Sequence, residues 1–168
     1  MIRFTKQRDH YTCGPIAIIN VCKWAGYKVT QKDIKKFKKL TNCDNGTYAE
    51  DLHKALKKLD EKYFKLKKRL LAKEVKVKEI KKHCKQHGIV LLRFQWPDDD
   101  EFHYILVIKF TKHRVGVVNY FPEGPAYRLI YKSTFKKLVE NQYQVIAWLI
   151  NYAENAKRKG CRISPSDF

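Results

Sequence analysis

The sequence lacks any apolar run long enough to cross a bilayer. Its longest runs, such as IVLL and YILVI, fall far short of the roughly 20 residues a helical span needs. The opening MIRFTKQRDH has no apolar stretch resembling a signal peptide. No CxxC pair occurs, and the five cysteines, at 13, 22, 43, 84 and 161, are odd in number. These absences argue against a membrane span and a disulfide scaffold. They predict reduced thiols in a cytoplasm, bacterial or that of a virus-infected host cell. Acidic residues are few, 17 against 36 basic ones, which gives a formal net charge of +19. Arginine is scarce as well, because 28 of the basic residues are lysine. Arginine is the residue of bidentate phosphate and base recognition, so a dedicated nucleic-acid function is not favoured. Lysine-rich stretches such as QKDIKKFKKL read first as solvated helix faces. Acidic surfaces or nucleic acid stay open as secondary partners. Oligomeric state is not legible.

What is present suits one globular domain: 168 residues, 44% hydrophobic and 13% aromatic. No internal repeat or long linker divides it. Ile2–Lys6 reads as a short strand or extended entry segment. Pro15 stands near a helix start, and from Ile16 to Ala25 only Asn20 and Lys23 are polar, so that helix is buried nearly all round. Gly26 ends it. Thr30 can cap a helix over Gln31–Leu40. Asn45–Gly46 marks a turn, and Thr47 can cap a third helix to about Leu59, with Glu50 three residues on. Tyr63–Lys67 alternates like a strand, and Val77–His87 reads as a helix. Ile89–Trp96, Phe102–Phe110, Val115–Phe121, Tyr127–Tyr131 and Gln144–Ile150 are strands by their β-branched and aromatic content, with a short helix from Ser133 to Glu140 between the last two. Helices first, then a mostly antiparallel sheet, predict an α+β domain in two layers over 1–150, followed by a polar tail over 151–168.

One stretch carries chemistry. In QRDHYTCGPIAI, Cys13 stands just before the buried helix. Free N–H groups and the helix dipole favour a thiolate there. A cysteine nucleophile also needs a base, a group that orients the base, and donors for the oxyanion. Gln7 can supply one such donor beside the Cys13 N–H. His103 opens the strand FHYILVIKF and suits the base. Asn119, on the next strand, suits the orienting group only if the parity of the hairpin allows it. A three-residue loop centred on Lys112 puts His103 opposite Phe121 and Asn119 on the same face as His103. A two-residue loop puts Asn119 on the other face. An odd loop, or a bulge near Gly116, is therefore predicted.

Gln7, five residues, then Cys13-Gly14-Pro15 and a buried helix resemble the C39-like branch of the papain-fold cysteine peptidases. His103-Tyr104 at a strand start and the later Asn119 extend the resemblance over roughly residues 3–150. The resemblance implies a papain-like fold and hydrolysis of a peptide or isopeptide bond without a cofactor. It implies Cys13 as nucleophile, paired as thiolate with a His103 imidazolium. Gln7 and the Cys13 N–H hold the oxyanion, and Asn119 orients the imidazole. Gly46-Thr47 resembles a segment bordering the substrate cleft. Many relatives carry Asp-Pro where this chain reads Asn119-Tyr120, which leaves a neighbour of Asn119 open as the third member. Cys-His-Asn sites nonetheless occur in papain-like proteases.

Other residues have plainer readings. Gly14 gives room for close approach, and His10 lies where it can line the cleft. Asp9 reads as a local turn or cap, Cys22 as core, and Cys43 and Cys161 as loop and tail thiols. His83, Cys84 and His87 share a helix region, but a fourth zinc ligand is not evident, and no metal is expected. Asp98, Asp99, Asp100 and Glu101, just before His103, can raise its pKa or attract a basic substrate residue. The expected partner is a polypeptide substrate, with a leader or precursor protein as one option. The alternatives are a same-fold acyltransferase or deamidase, and a non-catalytic basic module for an acidic partner.

Overall fold

The computed structural model describes residues 2–9, 11–96, 101–121, 124–140 and 144–153. Helix α1 spans Cys13–Trp24 and buries every residue except Ile16 and Lys23. It begins earlier than the apolar run suggests, with Cys13 as its first residue. Its one buried polar residue, Asn20, is fully enclosed. The Asn20 amide accepts from Thr5 N–H at 2.7 Å and donates to Thr5 O at 2.9 Å. Segment 2–6 is thus the extended entry segment rather than the strand: it joins no sheet, and a side chain of α1 satisfies the Thr5 backbone.

Helix α2, Gln31–Thr41, starts at Thr30 in a capping box with Asp33. Asn42, at φ 48°, stops it in the left-handed region. Helix α3 covers Ala49–Leu59 and buries Leu52, Ala55, Leu56 and Leu59. Tyr48, not Thr47, holds its N-cap position, with no side-chain cap bond.

The sheet has six strands, all antiparallel: β1 (Lys65–Leu71), β2 (Ile89–Gln95), β3 (Phe102–Phe110), β4 (Arg114–Val118), β5 (Tyr127–Tyr131) and β6 (Ile146–Asn151). Their spatial order is β1-β6-β2-β3-β4-β5. Helix α4 (Val77–Lys85) precedes β2, and α5 (Lys132–Glu140) precedes β6.

Two layers become three. One core holds α1, α2 and α3 against Ile89, Leu91, Tyr104, Leu106 and Trp148. A second core holds Ile80 of α4 and Phe135, Leu138 and Val139 of α5 against Val90, Leu92, Phe94, Ile105 and Val107. The strands β2 and β3 are therefore covered on both faces. That is the physical reason IVLL and YILVI are continuous apolar runs rather than alternating ones.

The β3–β4 hairpin settles the parity question. Phe110 pairs with Val115 and Lys109 with Gly116, around a two-residue loop, Lys112–His113. Between Lys109 and Val107 the register shifts, so that Val107 faces Val117 and Leu106 faces Val118. Ile108 is the extra residue, directly across from Gly116–Val117. An even loop plus one bulge gives the same parity as an odd loop. The predicted bulge near Gly116 is present, and it carries 119 to the register expected beside 103.

The packed domain runs slightly past 150. Tyr152 stacks on Trp24 at 4.1 Å between ring centroids, and Ala153 is buried. Residues 154–168 lie outside the described residues. Among the described residues, no helix is long and apolar enough to cross a membrane.

Candidate active site

The site forms where the N-terminal segment, the start of α1, the 43–48 loop and the first residues of β3 meet. Asp9 sets the start of α1. Its Oδ1 accepts from Tyr11 N at 3.0 Å and Thr12 N at 2.8 Å. Burial opposes ionisation, but these bonds, with Lys38 nearby, hold its carboxyl below the ordinary value. The turn or cap role predicted for Asp9 is what it performs.

Cys13 follows, 3% exposed. Burial is the dominant influence on its thiol and pushes the pKa up to about 11. Main-chain hydrogen bonds from Tyr104, Gly14 and Cys13 itself oppose that rise, while Asp9 adds to it. The resting group is therefore a neutral thiol set among main-chain donors that would hold a thiolate once formed. A standing thiolate–imidazolium pair was the expectation; the cost of burying the charge outweighs the helix N-terminus here.

Gly14 earns its place through Thr47. A Cβ at Gly14 would lie 2.3 Å from Thr47 Oγ1, 2.5 Å from its Cβ and 2.7 Å from its Cγ2. Thr47 packs directly on the α1 N-terminus. This contact, rather than a cap, is the use of its side chain, and its buried Oγ1 has no hydrogen-bond partner among the described residues. The Thr47 carbonyl accepts from Tyr104 Oη at 2.8 Å. Gly46 beside it adopts φ 93° in the predicted turn, a conformation favouring glycine.

His103 is 5% exposed. Its ring lies 6.0 Å from that of Phe94 and 5.9 Å from that of Trp96. Nε2 lies 2.6 Å from Asn119 O. A carbonyl can only accept, so Nε2 carries a proton, and Nδ1 is the basic nitrogen of the ring's neutral form.

Asn119 meets the imidazole through its main chain, whereas the expectation was contact through its side chain. Its φ of 62° turns the backbone just beyond β4, and its N–H donates to Ala126 O at 2.7 Å. The side chain is then sent elsewhere: Nδ2 donates to Gln7 Oε1 at 3.0 Å and to Tyr104 O at 3.3 Å. Gln7 is fully buried, and its Nε2 donates to Asp9 O. An amide nitrogen carries a second hydrogen, which leaves Gln7 one further donor.

Gln7, His103 and Asn119 are thus joined by hydrogen bonds. Tyr104 links Cys13 to them, touching the thiol with its N–H and Asn119 with its carbonyl. Tyr104 was not singled out as a site residue. The signal was available, since alternation along β3 puts Tyr104 on the face opposite His103, and that face packs on α1. His10, expected to line the cleft, lies outside the described residues, as do Asp98, Asp99 and Asp100 of the acidic run.

His83 and Cys84 of α4 serve the fold. His83 Nε2 bonds to Ile150 O at 3.1 Å, and Cys84 Sγ donates to Val107 O at 3.7 Å. His87, at φ 63°, follows the end of the helix. Among the described residues, no group of three or more His, Cys, Asp or Glu could hold a metal ion.

No sequence family model matches the chain, and no curated protein does. Solved structures do match. The peptidase domain of Streptococcus ComA, a bi-functional ABC transporter involved in quorum sensing, superposes with a TM-score of 0.62. The alignment covers 90% of this chain and 99% of that one, at 16% identity. A Bacillus anthracis protein assigned as C39-like peptidase superposes with a TM-score of 0.58, covering 88% of this chain and 94% of that one, at 13% identity. The chain has the papain-like fold of C39 peptidase domains.

Proposed function

We propose that this chain is a cysteine peptidase that hydrolyses a peptide or isopeptide bond. The observation that supports the reading is the bonded set Gln7–Asn119–His103, with Tyr104 touching Asn119 through its carbonyl and the Cys13 thiol through its N–H. Main-chain donors around a buried thiol on a helix N-terminus suit a nucleophile whose charge develops during reaction.

In this reading the His103 ring, at the open start of β3, reaches past the strand end to Cys13, and its Nδ1 takes the thiol proton as Cys13 Sγ attacks the carbonyl carbon. The oxyanion is held by the Cys13 N–H and the second hydrogen of Gln7 Nε2. His103 then returns the proton to the leaving amine as the C–N bond breaks, leaving a thioester. Water, deprotonated by His103, attacks the thioester, and the acid product leaves as Sγ is reprotonated. Asn119 O holds the ring throughout. With a neutral resting thiol, the proton transfer accompanies the attack.

The test is a peptide vinyl sulfone probe read by mass spectrometry at each cysteine. Wild-type protein is expected to label at Cys13 ahead of Cys43 and Cys161. Cys13→Ala is expected to lose this label, and His103→Ala to slow it at least about 100-fold. Equal labelling of Cys13 and Cys43 in folded protein would end the catalytic reading. Gln7→Ala is expected to lower turnover about 100- to 1000-fold, the worth of one oxyanion donor.

A further inference from the structure

Arg93 of β2 is a cation that the proposed chemistry does not use, on the strand beside the one whose Tyr104 N–H faces the Cys13 thiol. It lies across from Tyr104 in the β2–β3 ladder, on the face that packs on α1. It is half-buried. Its guanidinium sits 3.4 Å from the centroid of the Phe102 ring, which fixes its plane. Nη1 reaches Gln144 O at 3.4 Å, and the side chain also bonds to that of Tyr104. Nε is buried with no hydrogen-bond partner. Among the described residues no carboxylate pairs with it. Arg69, which interacts with it electrostatically, has a carboxylate of its own in Glu50, at 2.5 Å.

A half-buried guanidinium held by neutral acceptors is under-compensated, since such charges normally gain a carboxylate. Burial accordingly pushes the Arg93 pKa down, and the groups that interact electrostatically with it include Tyr104, Cys13 and Arg69. Tyr104 ties the arrangement together. Its hydroxyl joins Arg93 to the Thr47 carbonyl, and its N–H faces the Cys13 thiol. The cation is thus fixed to the same wall that packs on the α1 N-terminus.

We propose that Arg93 is a specificity-determining residue that binds a carboxylate beside Cys13, namely an acidic side chain flanking the bond to be cut. The identity of the carboxylate as part of a peptide rests on the peptidase reading; the carboxylate site itself does not. Arginine's fork suits a carboxylate bidentately, and a lysine would not reproduce it.

Two small probes test this. Cys13 is alkylated at pH 9 with iodoacetate, which carries a carboxylate, and with iodoacetamide, which does not. The ratio of the two rates at Cys13 is expected to fall about tenfold in Arg93→Gln, the scale of one hydrogen bond to a charged group. It is expected to stay at the wild-type value in Lys112→Gln, at the far end of β3, and to lie between in Arg93→Lys. An unchanged ratio in Arg93→Gln, including an equal fall in both rates, overturns the proposal. If Cys13 takes neither reagent, the peptidase reading fails and the second probe decides. The Arg93 Nε–H resonance of 15N-labelled protein, assigned by its loss in Arg93→Gln, is expected to shift saturably with acetate and not with acetamide. No shift with acetate overturns the proposal independently of any peptidase activity.

Discussion

Replacing Gly14 by alanine tests whether the wall over the α1 N-terminus is as tight as its geometry implies. The added Cβ meets three atoms of Thr47 at 2.3–2.7 Å, all inside the distance real Cβ atoms tolerate. Thr47 cannot simply rotate away, because its own Cβ is one of the three. Relief requires backbone movement, and the Thr47 carbonyl is tied to Tyr104 Oη at 2.8 Å. Overpacking of this kind costs about 1–3 kcal/mol. Alanine in a helix recovers up to about 1 kcal/mol of propensity. The expected net loss is about 1 kcal/mol, a fall in Tm of about 2–4 °C for a domain of this size. Because Tyr104 N–H faces the thiol, labelling of Cys13 should slow as well. A second substitution identifies the cause. Thr47→Ala keeps the Cβ and should rescue Gly14→Ala only in part. Thr47→Gly removes it and should restore most of the Tm, with a coupling of at least about 1 kcal/mol. If Gly14→Ala melts at or above the wild-type temperature and Cys13 labels at the wild-type rate, the contact is not the constraint argued here.

Two other predictions concern burial. Asn20→Ala leaves the Thr5 N–H and C=O without their partners and should cost about 2–4 kcal/mol. Faster amide exchange at Thr5 should accompany the lower Tm, and wild-type exchange there would count against the pairing. The second concerns pH. Burial raises Cys13 to about 11 and Cys84 to about 12, so the folded state keeps protons that the unfolded chain releases from about pH 9. Stability should be level with respect to these groups below about pH 8 and fall as pH rises through 9 to 11. Two units at Cys13 correspond to about 2–3 kcal/mol. The decline in urea midpoint over that range should be shallower in Cys13→Ala, and identical slopes would contradict the burial argument.

Much of the architecture followed from the chain alone. The runs that form α1, α2, β3 and β5 are bounded by residues with local mechanisms, such as the Thr30–Asp33 box and the β-branched strands. Gln7, Cys13, His103 and Asn119 could be picked out because each chemical role calls for a particular residue type. Even the parity of β3 against β4 was bounded, since only an odd shift sets 119 beside 103. These are local or counting arguments, and a sequence contains what they need.

The rest depended on contacts between distant segments. Thr47 has the chemistry of a cap, yet Gly14, 33 residues earlier, takes its side chain. Asn119 has the side chain of a triad member, yet its left-handed backbone offers His103 the carbonyl and sends the amide to Gln7. Nothing local to β2 marks Arg93, because its meaning comes from the lack of a carboxylate partner among the described residues and from its place across from Tyr104, whose N–H faces Cys13. The thiol's charge state is set the same way. A helix N-terminus favours a thiolate, and the sequence shows that terminus. How completely the surrounding chain excludes water is a property of the assembled fold, and it is the larger of the two effects.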